Sequence, residues 1–454
     1  MIMDSSTISE ETKGLIVKAL EGLANESWKT HDGEFPTFPE ETFLSHMIDT
    51  GKADLIKLQT ISLPALRQQL LGLIESFDLR TLDKEHKPKY PDVLEITHQL
   101  GPTLNLIDTS TESISPAIGS EAMELLSKVD HDYGIVKRYR CEELRARLHV
   151  LMTHNLRNLF GSYWEFVQSW NFVGPASSDS DHDLDMIRLR DSIIELTDES
   201  CQVIDDDIIK WSKRSDFAIL QKTWQEQADD FSDTLNFMAQ QIDYNVNFKK
   251  KPKEGAPRNN PRENIWGGYN GFDAPEDQAE TDSEDDGSLP EFNLLNLELI
   301  PSIRSTIPLL KLGRIFFTKL LDTPKGKPPF SLSDRLSSYE LEELKTTTIS
   351  FRICIMQILH AIYEAEDLAG LNSQRVDIMP LFDQGPPRAL DKSLTLLAFF
   401  LVPKPSQLDL PLPENPFKEW FCEFRFTFST ALQQLRENLF TSDSERTYSP
   451  DEMF

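Results

Sequence analysis

The sequence predicts an all-α protein built as two helical bundles. Three observations carry this. Apolar residues recur at three- and four-residue steps in segment after segment, no alternating apolar–polar run marks a half-buried strand, and glycine is scarce at 19 of 454 residues. A chain of 454 residues has ample length for two or three domains of about 150 residues each. No fixed-period repeat is visible, which excludes a solenoid of identical units.

Taken in order, the first helix covers 7–25. The next covers 53–78, and Pro64 divides it if a helix opens near Ser62, because the first turn needs no N–H from that position. A third covers 92–108, with Pro102 expected to kink or end it through its missing N–H and ring clash. The longest and most central spans 135–170, where Cys141, Leu144, Leu148, Leu151, Leu159, Tyr163, Phe166 and Trp170 keep one face. A polar loop, GPASSDSDHDLD, covers 174–185 and precedes a helix over 184–211. Phe217, Leu220, Trp224, Phe231, Leu235, Met238, Ile242 and Val246 define a helix over 217–246.

Periodicity then stops. Residues 249–290 read as a disordered linker that begins basic, passes Trp266 and Tyr269, and ends acidic, with its charges segregated. Helices resume over 292–321, where Pro308 sets the same difficulty as Pro102, and continue over 344–362, 390–401 and 417–439. The expected domains are therefore 1–248 and 291–442, with a frayed tail at 443–454. One bundle interrupted by the linker is the alternative.

Charge and cysteine usage narrow the function classes. Asp and Glu number 75 against 46 Lys and Arg, a formal charge of −29 that repels phosphate and argues against general nucleic-acid or anionic-membrane binding. The amino end carries acids where an export signal has a basic stretch, and the longest uncharged apolar runs, 393–402 and 353–363, fall short of the roughly 20 residues that span a bilayer. Cys141, Cys201, Cys354 and Cys422 stand far apart at apolar helical positions and read as reduced core residues. A nuclear or cytoplasmic setting is expected, with no cofactor.

Four features are candidates for function. Lys249, Lys250, Lys251 and Lys253 form a short basic block of the kind an acidic import receptor grips, or else simply solubilise the linker. Thr281, Ser283, Ser178 and Ser180 each have an acid three residues downstream, the setting of an acid-directed kinase site. Arg140 and Arg147, seven residues apart on one helix face, could dock an acidic peptide or the chain's own acidic linker. A solvated flank paired with Glu142 and Glu143 is the plainer reading, since exposed charge runs on helices are ordinary. Asp229, Asp230 and Asp233 spell DDxxD, the string with which helical terpene synthases hold Mg²⁺ against a diphosphate, and carboxylates at i and i+4 share a face. A solvated helix face is the alternative. A single Glu-x-x-His pair, Glu95 and His98, is one short of a di-iron bundle, and no Walker, G-x-S-x-G or HExxH string occurs.

The stretch IPLLKLGRIFFTKL at 307–320, with the helical segment at 351–369, resembles a signature of uncharacterised helical proteins of rust fungi. More distantly it resembles the Grap2 and cyclin-D-interacting family. That resemblance implies bundled helices with an acidic segment and the binding of cell-cycle or transcription proteins. The expected function is a non-enzymatic protein–protein interaction or regulatory role, with a Mg²⁺-dependent diphosphate enzyme using Asp229, Asp230 and Asp233 as the alternative.

Overall fold

The apolar stripes become helices almost throughout. The computed structural model describes residues 5–25, 41–80, 88–115, 120–169, 180–248, 298–321, 330–333, 335–365, 370, 375–403 and 416–440. Within them the chain is all-α, apart from two strands of three residues, β1 (Phe330–Leu332) and β2 (Leu401–Pro403), that pair with each other. No described helix is long and apolar enough to cross a membrane. The chain divides into two units, Met1–Ile219 with Leu332–Glu343, and Leu220–Ser331 with Leu344–Phe454. The expected boundary at 248 therefore moves into the helix before it, and a short segment from the second half joins the first unit. The expected linker, 249–290, lies outside the described residues.

The first unit holds α1 (Ser5–Asn25), α2 (Glu41–Lys57), α3 (Leu63–Phe77), α4 (Tyr90–Ile114), α5 (Ser120–Val129), α6 (Arg138–Val150), α7 (Arg157–Ser169) and α8 (Ser180–Gln202). Helix α1 packs on α7 and α4, α4 receives α2 and α3, and α8 lies along α7. Ile16, Leu20, Leu66, Leu70, Leu100, Leu104, Leu159 and Tyr163 have no exposed surface. Phe77 stacks on Tyr163 at 5.3 Å between ring centroids and meets Phe166 edge-on at 6.2 Å, which fastens α3 to α7.

Three π-turns interrupt these helices without breaking their path, Leu58–Ser62, Leu151–Leu156 and Val203–Lys210. The first explains Pro64. Leu63 N–H reaches back to Leu58 O, so a fresh α-segment begins at Leu63 with proline in its first turn, as its missing donor requires. The second joins α6 to α7, so the expected long helix is continuous but re-phased in its middle. Pro102 and Pro308, expected to kink or end their helices, sit inside α4 and α10 (Ile300–Leu320). Both rings are exposed, so the carbonyl that each leaves unbonded lies on the side that water can reach. Most of α2, over 41–52, and two short helices, α5 and α12 (Arg375–Gln384), carry no periodicity that predicts them.

The second unit holds most of α9 (Asp216–Phe248), then α10, most of α11 (Ser338–Glu364), α12, α13 (Pro386–Phe400) and α14 (Pro416–Phe440). Its partners explain why α9 leaves the first half of the chain. Trp224 Nε1 donates to Thr348 Oγ1 at 3.2 Å, and Arg352 Nε donates to Gln227 Oε1 at 2.6 Å, so α9 and α11 run side by side in the same direction. Phe316, Phe317, Phe351, Phe424 and Phe428 form a continuous aromatic core, with Phe316 5.2 Å from Phe351 and Phe351 5.1 Å from Phe428. Helix α10 packs along α14 around it.

Gly313 on α10 admits the Phe231 ring of α9 at close range. A methyl group there would lie 2.5 Å from Phe231 Cζ, far inside contact distance. Gly313→Ala is expected to destabilise the second unit by about 1–3 kcal/mol through overpacking, read in denaturant unfolding. Shortening the opposing ring in Gly313→Ala/Phe231→Leu should recover part of that loss, and strict additivity of the two single changes would refute the contact.

Candidate functional site

The DDxxD string does not gather a metal site. Asp229 is exposed and accepts from Gln225 Nε2 at 2.8 Å, within one turn of its own helix. Asp230 lies 3.3 Å from Nη1 of Arg352, which is 5% exposed, and so compensates a buried guanidinium. Asp233 is exposed. Among the described residues no group of three or more His, Cys, Asp or Glu is placed to hold a metal ion. Glu95 and His98 line an open depression of about 660 Å³ with Gln69, Gln99, Pro102 and Thr103.

Lys249, Lys250, Lys251, Lys253, Thr281, Ser283 and Ser178 lie outside the described residues. Ser180 is the first residue of α8.

Arg140 and Arg147 are not a docking face. Arg140 is 6% exposed, with Nη1 3.0 Å from Asp216 Oδ1 and Nη2 donating to Ser212 O at 2.8 Å. Lys137, 2% exposed, places Nζ 3.0 Å from the other oxygen of Asp216. Arg147 pairs with Glu143 at 2.8 Å and lies 4.7 Å from the centroid of the buried Trp211 ring. Arg140 is an interior fastening and Arg147 a half-buried one. The sequence held the clue, since Arg140 stands four residues before Leu144 and Arg147 four before Leu151, both on the apolar stripe. The flank pairing does form, at Arg138–Glu142 and Arg147–Glu143.

Beside this cluster is a second buried fastening, which no sequence signal announced. Asp130, 1% exposed, accepts from Arg138 N–H at 2.9 Å, from Ser338 N–H at 2.7 Å and from the Ser338 hydroxyl. The Ser338 oxygen in turn accepts from Tyr139 N–H at 2.8 Å. Ser337 and Glu340 add a capping box, with Ser337 N–H donating to Glu340 Oε2 at 2.8 Å. Burial pushes the Tyr139 phenol up, helped by Glu342, Glu143 and Asp216. Residues 208 positions apart are thus locked together inside the first unit.

On this base stands an exposed apolar cluster. Leu125 and Val129, one turn apart on α5, are 52% and 54% exposed, Ile135 is 40% exposed, and Tyr339 is 42% exposed. Lys128 Nζ lies 5.3 Å from the Tyr339 ring centroid, which brings Tyr339 against α5. These exposed apolar side chains, next to a buried hydrogen-bonded clamp, are a described feature suited to binding.

The cysteines divide. All four are free; Cys141 and Cys201 are buried as expected, but Cys354 is half-buried and Cys422 exposed, because the stripe of α14 turns its other face to α10. Burial pushes the Cys141 thiol up to about 12. Alkylation of the native protein near neutral pH should therefore label Cys422 well before Cys141, as mapped by peptide mass spectrometry.

Residues 52–213 match a family model described as a domain of unknown function (DUF8723), and residues 215–437 match a second (DUF8721). The junction of the two falls in the turn before α9, close to the division between the structural units. No curated protein and no solved structure matches the chain.

Proposed function

We propose that this protein is a non-enzymatic interaction or regulatory protein that captures a partner helix at Leu125, Val129, Ile135 and Tyr339. The exposed apolar cluster carries the reading. A helix laying an apolar face into it would bury these side chains, and the clamp at Asp130 means that the surface is set before binding rather than ordered at a cost. The partner's flanks should be basic. Glu124 and Asp132 stand exposed beside the cluster, and the chain's charge of −29 steers cations toward it. The distant resemblance of 307–320 and 351–369 to the Grap2 and cyclin-D-interacting family implies binding of cell-cycle or transcription proteins and goes with this reading.

A designed amphipathic peptide with a leucine face and lysine flanks is the first probe, read by fluorescence anisotropy. Leu125→Glu/Val129→Glu should weaken binding at least about tenfold, the equivalent of ~1.4 kcal/mol. Equal binding by the double variant, or equal binding of a peptide lacking its leucines, would overturn the reading. A nuclear or cytoplasmic setting goes with this role, with import through Lys249, Lys250, Lys251 and Lys253 and phosphorylation at Thr281, Ser283, Ser178 and Ser180 as its regulation. An unchanged nuclear fraction for Lys250→Ala/Lys251→Ala would remove the import part.

A further inference from the structure

We propose that the first unit also carries a self-complementary surface through which two copies of this chain pair. The first half of that surface is the solvent side of α6 and α7. Arg145, His149, His154 and Arg157 are all exposed along it, and none has an ion-pair partner among the described residues. The π-turn Leu151–Leu156 keeps three of them in a row. In an unbroken α-helix a four-residue step drifts steadily around the axis, whereas the wider π-turn takes up that drift, so Arg145, His149 and Arg157 stay in line. Val150, 53% exposed, stands beside them.

The second half is α8, which lies along α7. Asp191, Glu195, Asp198 and Glu199 are exposed on one face around the half-buried Ile194, and they line an open depression of about 690 Å³ that no helix among the described residues fills. Asp191 already meets Arg190 at 2.9 Å, Asp198 meets Arg80 at 3.1 Å, and Glu199 accepts from Asn155 Nδ2 at 3.2 Å. Glu195 has no such partner among the described residues.

The occupant that fits both faces is a second copy. The arginines of this row have their complement on the adjacent helix, and a two-fold axis sets each copy's Arg145 and Arg157 on the other's acidic row, so every contact is made twice. Val150 and Ile194 supply an apolar centre to each half. The net charge opposes association at long range, but at physiological salt that repulsion is screened beyond about 8 Å, while pairs at contact distance persist.

Sedimentation equilibrium of the full chain over the micromolar range should show a monomer–dimer equilibrium. Arg145→Glu/Arg157→Glu should weaken dimerisation at least about tenfold, and Asp191→Lys/Glu195→Lys should do the same. Mixing the two double variants should restore a dimer, now heterologous in sequence, because each carries the complement of the other on both rows. The substituted side chains are exposed, so circular dichroism should show unchanged folding. A monomer at every concentration, a dimer indifferent to either reversal, or a mixture that stays monomeric would each overturn the proposal. None of these changes touches Leu125, Val129, Ile135 or Tyr339, so peptide capture at that cluster is tested independently.

Discussion

Asp216→Ala is expected to destabilise the first unit by about 3–5 kcal/mol. The carboxylate lies 3.0 Å from both Lys137 Nζ and Arg140 Nη1, and those side chains are only 3% and 7% exposed. Removing it takes the shared carboxylate from between two desolvated cations, and Arg140 keeps the Ser212 carbonyl as an acceptor. Asp216→Asn should lose nearly as much, since it keeps the shape but not the charge. Lys137→Met should be milder because the Asp216–Arg140 pair survives. The triple change Asp216→Ala/Lys137→Met/Arg140→Met should recover much of the loss, because apolar groups of similar volume carry no desolvation penalty. Urea unfolding followed by hydrogen exchange in α6 gives the comparison. A loss under about 1 kcal/mol for Asp216→Ala would mean that water reaches these cations and that the cluster is not a buried one.

Asp130→Ala is expected to cost about 2–4 kcal/mol, from buried donors left without an acceptor at roughly 1–3 kcal/mol each. The two backbone N–H groups of Arg138 and Ser338 and the Ser338 hydroxyl all lose their partner at once. Ser338→Ala should be milder, since the Asp130 bonds to both N–H groups remain. The effect should be local before it is global. Amides at 338–343 should exchange faster in Asp130→Ala than in the parent, and the amphipathic probe should bind more weakly because Tyr339 no longer holds its place against α5. Unchanged exchange in that segment would show that Asp130 is not what fastens it.

Much of the helical content was legible because burying one stripe imposes a period. Leu159, Tyr163 and Phe166 in α7, and Trp224, Phe231 and Met238 in α9, lie buried at the spacings that predicted them. The same pattern says only which face a residue occupies, not what covers it. Arg140 stands on a stripe, and its charge alone predicts exposure, whereas its burial follows from Asp216 arriving from α9 with a compensating carboxylate. The spacing around Cys422 predicts burial, yet it is exposed, because its position on α14 faces away from the packed side. The clamp at Asp130 and the apolar cluster above it join residues more than two hundred positions apart, and no local spacing encodes such a pairing.

Composition and helical period set the all-α class, the burial of the long aromatic stripes and the acidic charge. These depend on composition and on a residue's relation to neighbours within two turns of helix. Packing between helices sets where one unit ends and the next begins, how π-turns re-phase three helices, that Gly313 admits Phe231, and which charged side chains are interior and which form surface. Each of these depends on which helix lies alongside which, and that is settled by shape and charge compensation across the packed interior rather than by any pattern along the chain.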